Sequence, residues 1–115
     1  MLCIKNGRIH DAVHREPYTA DILIENGKLL QIGTDLHAEQ TIDAAGLEIY
    51  PGFVDAHIHL ESSLVTPKEF VRATLPHGTT TVITDPHEIT NVMGTDGIDY
   101  MFQAPEGLPI DVRFM

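Results

Sequence analysis

The sequence predicts an α/β protein in two parts, a small β domain over residues 1–50 and alternating strands and helices over residues 51–115. Two observations predict the first part: short apolar runs recur there, and the dipeptide Asn-Gly interrupts them twice. A third predicts the second part. After Pro51 the apolar spacing switches between strand and helix periods, which is typical of strands that pair in parallel.

The β domain repeats one pattern, in which an apolar and a polar residue precede Asn-Gly, followed by a basic and an apolar residue. The two copies span residues 4–9 and 24–29. Because both residues of Asn-Gly tolerate positive φ, we predict two antiparallel hairpins. Residues 10–20 are polar and contain Pro17, so we predict a loop there. Further short strands, also antiparallel, are expected at residues 21–24, 30–32, 40–42 and 47–50.

The second part begins with a strand after the Pro51-Gly52 break. Residues 66–69 read Thr-Pro-Lys-Glu, a capping box with proline at the first helical position, and the helix should end before Gly78. Residues 79–84 are β-branched at every position and predict a buried strand. A second helix is expected over residues 95–103 and a third strand over residues 110–115.

Two consecutive βα repeats predict a parallel sheet or part of a barrel. A closed (β/α)₈ barrel takes about 250 residues. We therefore expect the 115 residues to hold fewer than three of the eight units of such a barrel.

Composition restricts the classes of partner. Seventeen acidic residues against seven basic ones give a formal net charge of -10, which argues against nucleic-acid binding because a phosphate backbone would be repelled. Cys3 is the only cysteine, so no intrachain disulfide can form, and we expect a buried thiol in a reducing cytoplasm. No secretory signal and no membrane span are predicted, since no apolar run approaches about 20 residues.

A possible metal site begins in the first strand of the second part. Read with period two, residues 53–61 put Asp55, His57 and His59 on one face and apolar residues on the other, so we expect a strand buried on both sides. Imidazoles at i and i+2 can reach one divalent ion from adjacent corners. The alternative is a pair of hydrogen-bonded core histidines.

Four further side chains are candidates for the same site. Asp55 could orient a ligand, or simply close the strand. Glu61, where the strand meets solvent, is a candidate for contact with substrate or metal, or a surface acid. Asp85 and His87 end the next strand and should reach the same edge, unless they form only an Asp-Pro turn with a spectator histidine. His77 is assigned no catalytic or metal-binding role, because it lies in the last turn of the predicted helix, where a cation interacts favourably with the helix end.

Several motifs together resemble a known family. They are the run Pro51-Gly-Phe-Val-Asp-Ala-His-Ile-His59, then Glu61-Ser-Ser, Leu75-Pro-His-Gly-Thr-Thr-Thr-Val82 and Asp85-Pro-His-Glu-Ile89. With the β domain before them, these residues resemble the amidohydrolase superfamily and, within it, the adenine deaminase family. The resemblance covers roughly residues 21–115 and is far more specific than His-x-His alone.

The resemblance implies a TIM-like (β/α)₈ barrel whose small β domain is part of a β-sandwich-like module. It implies hydrolytic deamination of adenine to hypoxanthine and ammonia by a metal-activated hydroxide at a binuclear site, with Mn²⁺ or Fe²⁺ as the usual ions and Zn²⁺ as another candidate. His57 and His59 would be metal ligands. A homo-oligomer is compatible with the resemblance. Adenine is uncharged, so an acidic surface does not oppose its binding.

In the family, the remaining ligands and the general acid–base group come from later strands, so we expect them beyond residue 115. The 115-residue chain alone is then expected to bind metal weakly and to show no appreciable activity. Two alternatives stay open. One is another amidohydrolase, such as a dihydroorotase-like or imidazolonepropionase-like enzyme; the other is a non-catalytic truncated module that serves as a binding domain.

Overall fold

The chain forms two compact units, Met1–Pro51 and Gly52–Met115, in a computed structural model that describes all 115 residues. Each unit is built around its own sheet. None of its helices has the length and apolar character needed to cross a membrane.

The first unit is a mixed five-stranded sheet. Its strands are β1 (Leu2–Ile9), β2 (Tyr18–Glu25), β3 (Lys28–Gly33), β4 (Gln40–Asp43) and β5 (Glu48–Ile49). The order is β3-β2-β1-β4, and β5 also pairs with β1. The neighbours β1, β2 and β3 are antiparallel, as predicted, but β4 and β5 run parallel to β1. The expectation of antiparallel strands throughout was wrong because the chain crosses over after β3 and re-enters the sheet beside β1.

The two Asn-Gly dipeptides have different roles. Asn26 and Gly27 have φ values of 51° and 73° and form the tight turn between β2 and β3, which confirms that hairpin. The predicted hairpin at Asn6-Gly7 was wrong. β1 continues through this dipeptide, and Asn6, with φ of 62°, lies in an irregularity of the β1–β2 register.

Carboxylates from neighbouring strands explain why the chain does not turn at Asn6. The buried Asp21 accepts a hydrogen bond from the backbone N–H of Asn6 at 2.9 Å and another from that of Leu36 at 3.1 Å. The side-chain amide of Asn6 donates to Asp43 at 3.0 Å. These bonds replace the strand pairing that a bulge loses, so the extended path is satisfied.

One face of this sheet carries a small core of Ile9, Ala20 and Ile22, and partly buried residues such as Tyr18 pack against it. Cys3 is fully buried, as the sequence predicted.

The second unit is a three-stranded parallel sheet with helices. Its elements are β6 (Phe53–Ile58), α1 (Pro67–Thr74), β7 (Thr79–Thr84), α2 (His87–Met93), α3 (Thr95–Gln103) and β8 (Asp111–Phe114). The order β6-β7-β8, with every pair parallel, confirms the predicted βα pattern. The sequence did not predict α2, whose seven residues are too few to establish an apolar period.

One of the two bonds of the predicted capping box before α1 is present, whereas the Glu69 carboxylate pairs with Arg72. Thr66 accepts a hydrogen bond from the backbone N–H of Glu69 at 3.4 Å, and Pro67 is the first helical residue. A short 3-10 turn over Leu75–His77 follows and ends at Gly78, whose φ of 97° suits glycine.

The core of the second unit consists of Leu60, Phe70, Val82 and Met101. The expectation that β6 is buried on both faces was wrong, since Phe53 is 54% and Val54 58% exposed. β6 lies at the edge of the sheet and is bonded to β7 alone, so part of its surface has no covering element in this unit.

Candidate metal centre

The ends of β6 and β7 bring the candidate side chains together. Parallel strands present their carboxyl ends at one edge, and the backbone N–H of Asp85 donates to the carbonyl oxygen of Ile58 at 3.2 Å. His59 follows β6, and Asp85 and His87 follow β7. One ligand atom from each of these three side chains lies within 4.8 Å of the others.

His57 and His59 face each other through their Nε2 atoms, which are 3.3 Å apart. The Nδ1 of His59 lies 2.7 Å from the carbonyl oxygen of Asp85. A carbonyl oxygen only accepts, so Nδ1 must be the protonated nitrogen, and in the neutral ring Nε2 keeps its lone pair. The backbone of Asp85 therefore sets the tautomer in which His59 can bind a metal.

The spacing of the two Nε2 atoms fits a shared divalent ion. Two ligands at about 2.1 Å from one ion, at tetrahedral or octahedral angles, lie about 3.0–3.4 Å apart. The observed 3.3 Å falls within that range. The residues present therefore suit a metal at this position.

Asp85 and His87 form a second pair, with Oδ2 and Nδ1 2.9 Å apart. The hydrogen bond from His87 is the main reason why the pKa of the Asp85 carboxyl lies below its ordinary value, so this group is ionised at neutral pH. The same bond raises the pKa of His87. The rings of His59 and His87 contact each other edge to face, with centroids 4.7 Å apart.

Asp55 contacts the backbone rather than a ring. Its Oδ1 accepts a hydrogen bond from the backbone N–H of His57 at 3.2 Å. His77 lies in the turn before β7, whereas the candidate centre lies after that strand, so the two are at opposite ends of β7.

Glu61 lies in the short 3-10 turn Leu60–Ser63, and its carboxylate contacts the first turn of α2. Its Oε1 accepts hydrogen bonds from the backbone N–H groups of Glu88 at 3.1 Å and Ile89 at 3.3 Å, while its Oε2 is buried without a partner. The hydroxyl of Ser62 donates to the carboxylate of Glu88. Sequence reasoning missed this role because it missed α2, and the acceptor comes from a distant segment.

The family model described as "Amidohydrolase family" matches residues 49–115. The adenine deaminase of Bacillus velezensis is 52% identical over 112 residues, which are 97% of this chain and 19% of that protein. The adenine deaminases of Listeria monocytogenes serotype 4b and Bacillus subtilis are 53% and 48% identical over 114 residues, 99% of this chain and 20% of each relative. The chain thus spans about a fifth of the length of these curated relatives.

Solved structures give the same fold. A D-hydantoinase is 31% identical with a TM-score of 0.75, over 97% of this chain and 26% of that one. The dihydropyrimidinase of Brevibacillus agri is 30% identical with a TM-score of 0.70, over 97% and 26%. The N-acyl-D-glutamate deacylase of Bordetella bronchiseptica, complexed with zinc and a phosphonate inhibitor, is 29% identical with a TM-score of 0.61, over 72% and 18%. The predicted fold class is confirmed: the chain carries part of a TIM-barrel fold.

Proposed function

Because this chain belongs to the amidohydrolase family, we propose that it supplies metal-binding histidines to an enzyme that hydrolyses adenine to hypoxanthine and ammonia. The observation that carries the proposal is the pair of Nε2 atoms of His57 and His59, 3.3 Å apart. The high identity to adenine deaminases over nearly the whole chain supports adenine as the substrate.

His57 and His59 would hold a divalent ion through Nε2, and Asp85 and His87 lie close enough to His59 to take part in the same centre. We propose Mn²⁺ or Fe²⁺ in a binuclear arrangement, with Zn²⁺ as the competitor, since the Bordetella deacylase is complexed with zinc. When bound, such an ion lowers the pKa of water and makes hydroxide available near neutral pH.

Within this chain, Asp85 and His87 are the groups that we propose to hold a proton, while the general acid–base group that the resemblance implies is expected beyond residue 115. Asp85 and His87 share one hydrogen bond beside His59, and His87 is exposed to the solvent from which adenine arrives. A hydrogen-bonded carboxylate–imidazole pair can hold a proton and pass it to a departing amine. Adenine carries no charge, so the net charge of -10 does not oppose its approach.

Metal binding by the 115-residue chain tests the site. We expect saturable Mn²⁺ binding, followed by the electron paramagnetic resonance signal of free Mn²⁺, and loss of that binding in His57→Ala and in His59→Ala. His77→Ala is the matched control, because this histidine lies at the other end of β7. Equal binding by all four proteins would refute the assignment.

A chimera tests the substrate. This chain would replace the matching segment of the Bacillus subtilis adenine deaminase, to which it is 48% identical over 114 residues. We expect the chimera to release ammonia from adenine, and His59→Ala in the same chimera to abolish the release. A folded, metal-loaded chimera that is inactive on adenine, or that hydrolyses dihydroorotate instead, would overturn the proposal.

A further inference from the structure

We propose that Glu61 is a positioning residue that holds the first turn of α2, and with it His87, in place beside His59. The inference deepens the proposed function and rests on it for its meaning in catalysis, although the geometry it concerns is independent of any metal. Glu61 forms no hydrogen bond with either imidazole; besides a charge interaction with His87, it is linked to that residue through the backbone of α2.

The hydrogen bonds of Glu61 reach the two residues directly after His87. Oε1 accepts from the backbone N–H groups of Glu88 and Ile89, which are the second and third residues of the helix. The first N–H groups of a helix have no partner within the helix. Glu61 supplies that partner, and its own position follows His59 by two residues, so one side chain links the two halves of the candidate centre.

The residue that precedes α2 supplies no side-chain cap. This residue is Pro86, and no side-chain capping bond is formed there. Proline lacks the oxygen with which serine, threonine, aspartate or asparagine cap a helix. Two carboxylates therefore hold the first turn of α2: Asp85 accepts from the backbone N–H of His87, and Glu61, from a segment far away in sequence, accepts from those of Glu88 and Ile89.

A third hydrogen bond and a close packing contact involve the same helix. The Ser62 hydroxyl donates to the carboxylate of Glu88, so two side chains, Glu61 and Ser62, join the segment after His59 to the first turn of α2 through three hydrogen bonds. On α3, Gly97 approaches α2 so closely that a Cβ there would lie 2.9 Å from the carbonyl oxygen of Ile89. α2 thus packs against α3 near Ile89, while Glu61 and Ser62 join its first turn to the segment after His59.

The alternative is a purely structural role, in which Glu61 caps the helix and affects stability alone. The chain offers a matched control, because Thr66 caps α1 in the same unit through the N–H of Glu69. Thr66→Ala removes a cap away from the candidate centre. Both substitutions should lower the melting temperature, but only loss of the Glu61 cap should move His87.

The test measures the contact between rings by NMR. The His59 and His87 centroids are 4.7 Å apart, which predicts a nuclear Overhauser effect between their ring protons in the full 115-residue chain. We expect Glu61→Ala to remove this effect and Thr66→Ala to retain it. Glu61→Gln should also retain it, since the amide keeps the carbonyl oxygen that accepts from the two N–H groups.

Mn²⁺ affinity gives a second readout. Losing a group that orients ligands typically weakens metal binding by about 10-fold or more. We expect that loss in Glu61→Ala, and affinities near the wild-type value in Glu61→Gln and Thr66→Ala. If Glu61→Gln loses as much affinity as Glu61→Ala, the charge itself acts on the ion and the positioning role is overturned.

The remaining outcomes separate the two proposals. An intact ring-to-ring effect and an unchanged Mn²⁺ affinity in a folded Glu61→Ala chain would overturn the positioning role. If the folded, metal-loaded chimera is inactive on adenine, the proposed function fails, and the NMR result alone decides whether Glu61 positions His87. If Glu61→Ala does not fold, the same NMR spectrum is recorded for Ser62→Ala. A weaker nuclear Overhauser effect between the His59 and His87 rings supports the proposed positioning, and an unchanged one refutes it.

Discussion

Leu60 anchors the segment that carries His57 and His59, and its truncation should nearly unfold the second unit. The side chain is 2% exposed and packs with Phe70, Val82 and Met101. Leu60→Ala removes three carbon atoms at about 0.8 kcal/mol each, or about 2.4 kcal/mol of transfer free energy. A residual cavity of about 70 Å³ at about 24 cal/mol per Å³ adds about 1.7 kcal/mol.

The expected loss is therefore about 4 kcal/mol in the free energy of unfolding, within the observed span of about 2.7–5 kcal/mol for such substitutions. The total free energy of unfolding of a unit of roughly 60 residues is about 3–9 kcal/mol. The variant should consequently be marginal, with the candidate centre disordered together with the core beneath it. Leu64→Ala is the control of the same chemistry, because Leu64 is 91% exposed and its loss should change stability by less than about 0.5 kcal/mol.

The chain has no tryptophan, so urea unfolding should be followed by two-dimensional ¹H–¹⁵N NMR, which reads the two units separately. Peaks of the second unit should disappear at much lower urea in Leu60→Ala than in the wild type. A loss below about 1 kcal/mol, or an equal loss in Leu64→Ala, would refute the packing argument.

Three further substitutions have definite outcomes. The pKa of Asp21 is lowered, chiefly by the hydrogen bond from the backbone N–H of Asn6. Its carboxylate therefore stabilises the fold above an unfolded pKa of about 3.9, and this contribution is lost as pH falls through the lower folded value. Asp21→Asn should reduce the fall of the urea midpoint at acid pH, and parallel curves for the variant and the wild type would contradict this. Gly97→Ala should destabilise the second unit, because overpacking against Ile89 costs about 1–3 kcal/mol, which outweighs a gain of about 1 kcal/mol in helix propensity. A higher melting temperature of the variant would contradict the close contact. Gly27→Ala meets no atom within 4 Å, so its cost of about 1 kcal/mol arises from positive φ alone, and thermal unfolding that matches the wild type would exclude that strain.

Local signals predicted the elements of the second unit well. The β-branched run of β7 and the capping box of α1 lie within a few residues, so each could be recognised from its own segment. α2 lacks both a cap of its own and a long apolar period, and it was missed. Its N-terminal cap comes from Glu61, and no local pattern contains that information.

The sequence by itself determined the parallel βα order, the hairpin at Asn26-Gly27 and the choice of His57 and His59 as candidate ligands, because spacing and turn chemistry act over a few residues. Only the tertiary structure decided that Asn6-Gly7 stays within a strand and which nitrogen of His59 is free. Those outcomes depend on partners far away in sequence, since a buried polar group takes the conformation in which a donor or acceptor from another strand satisfies it.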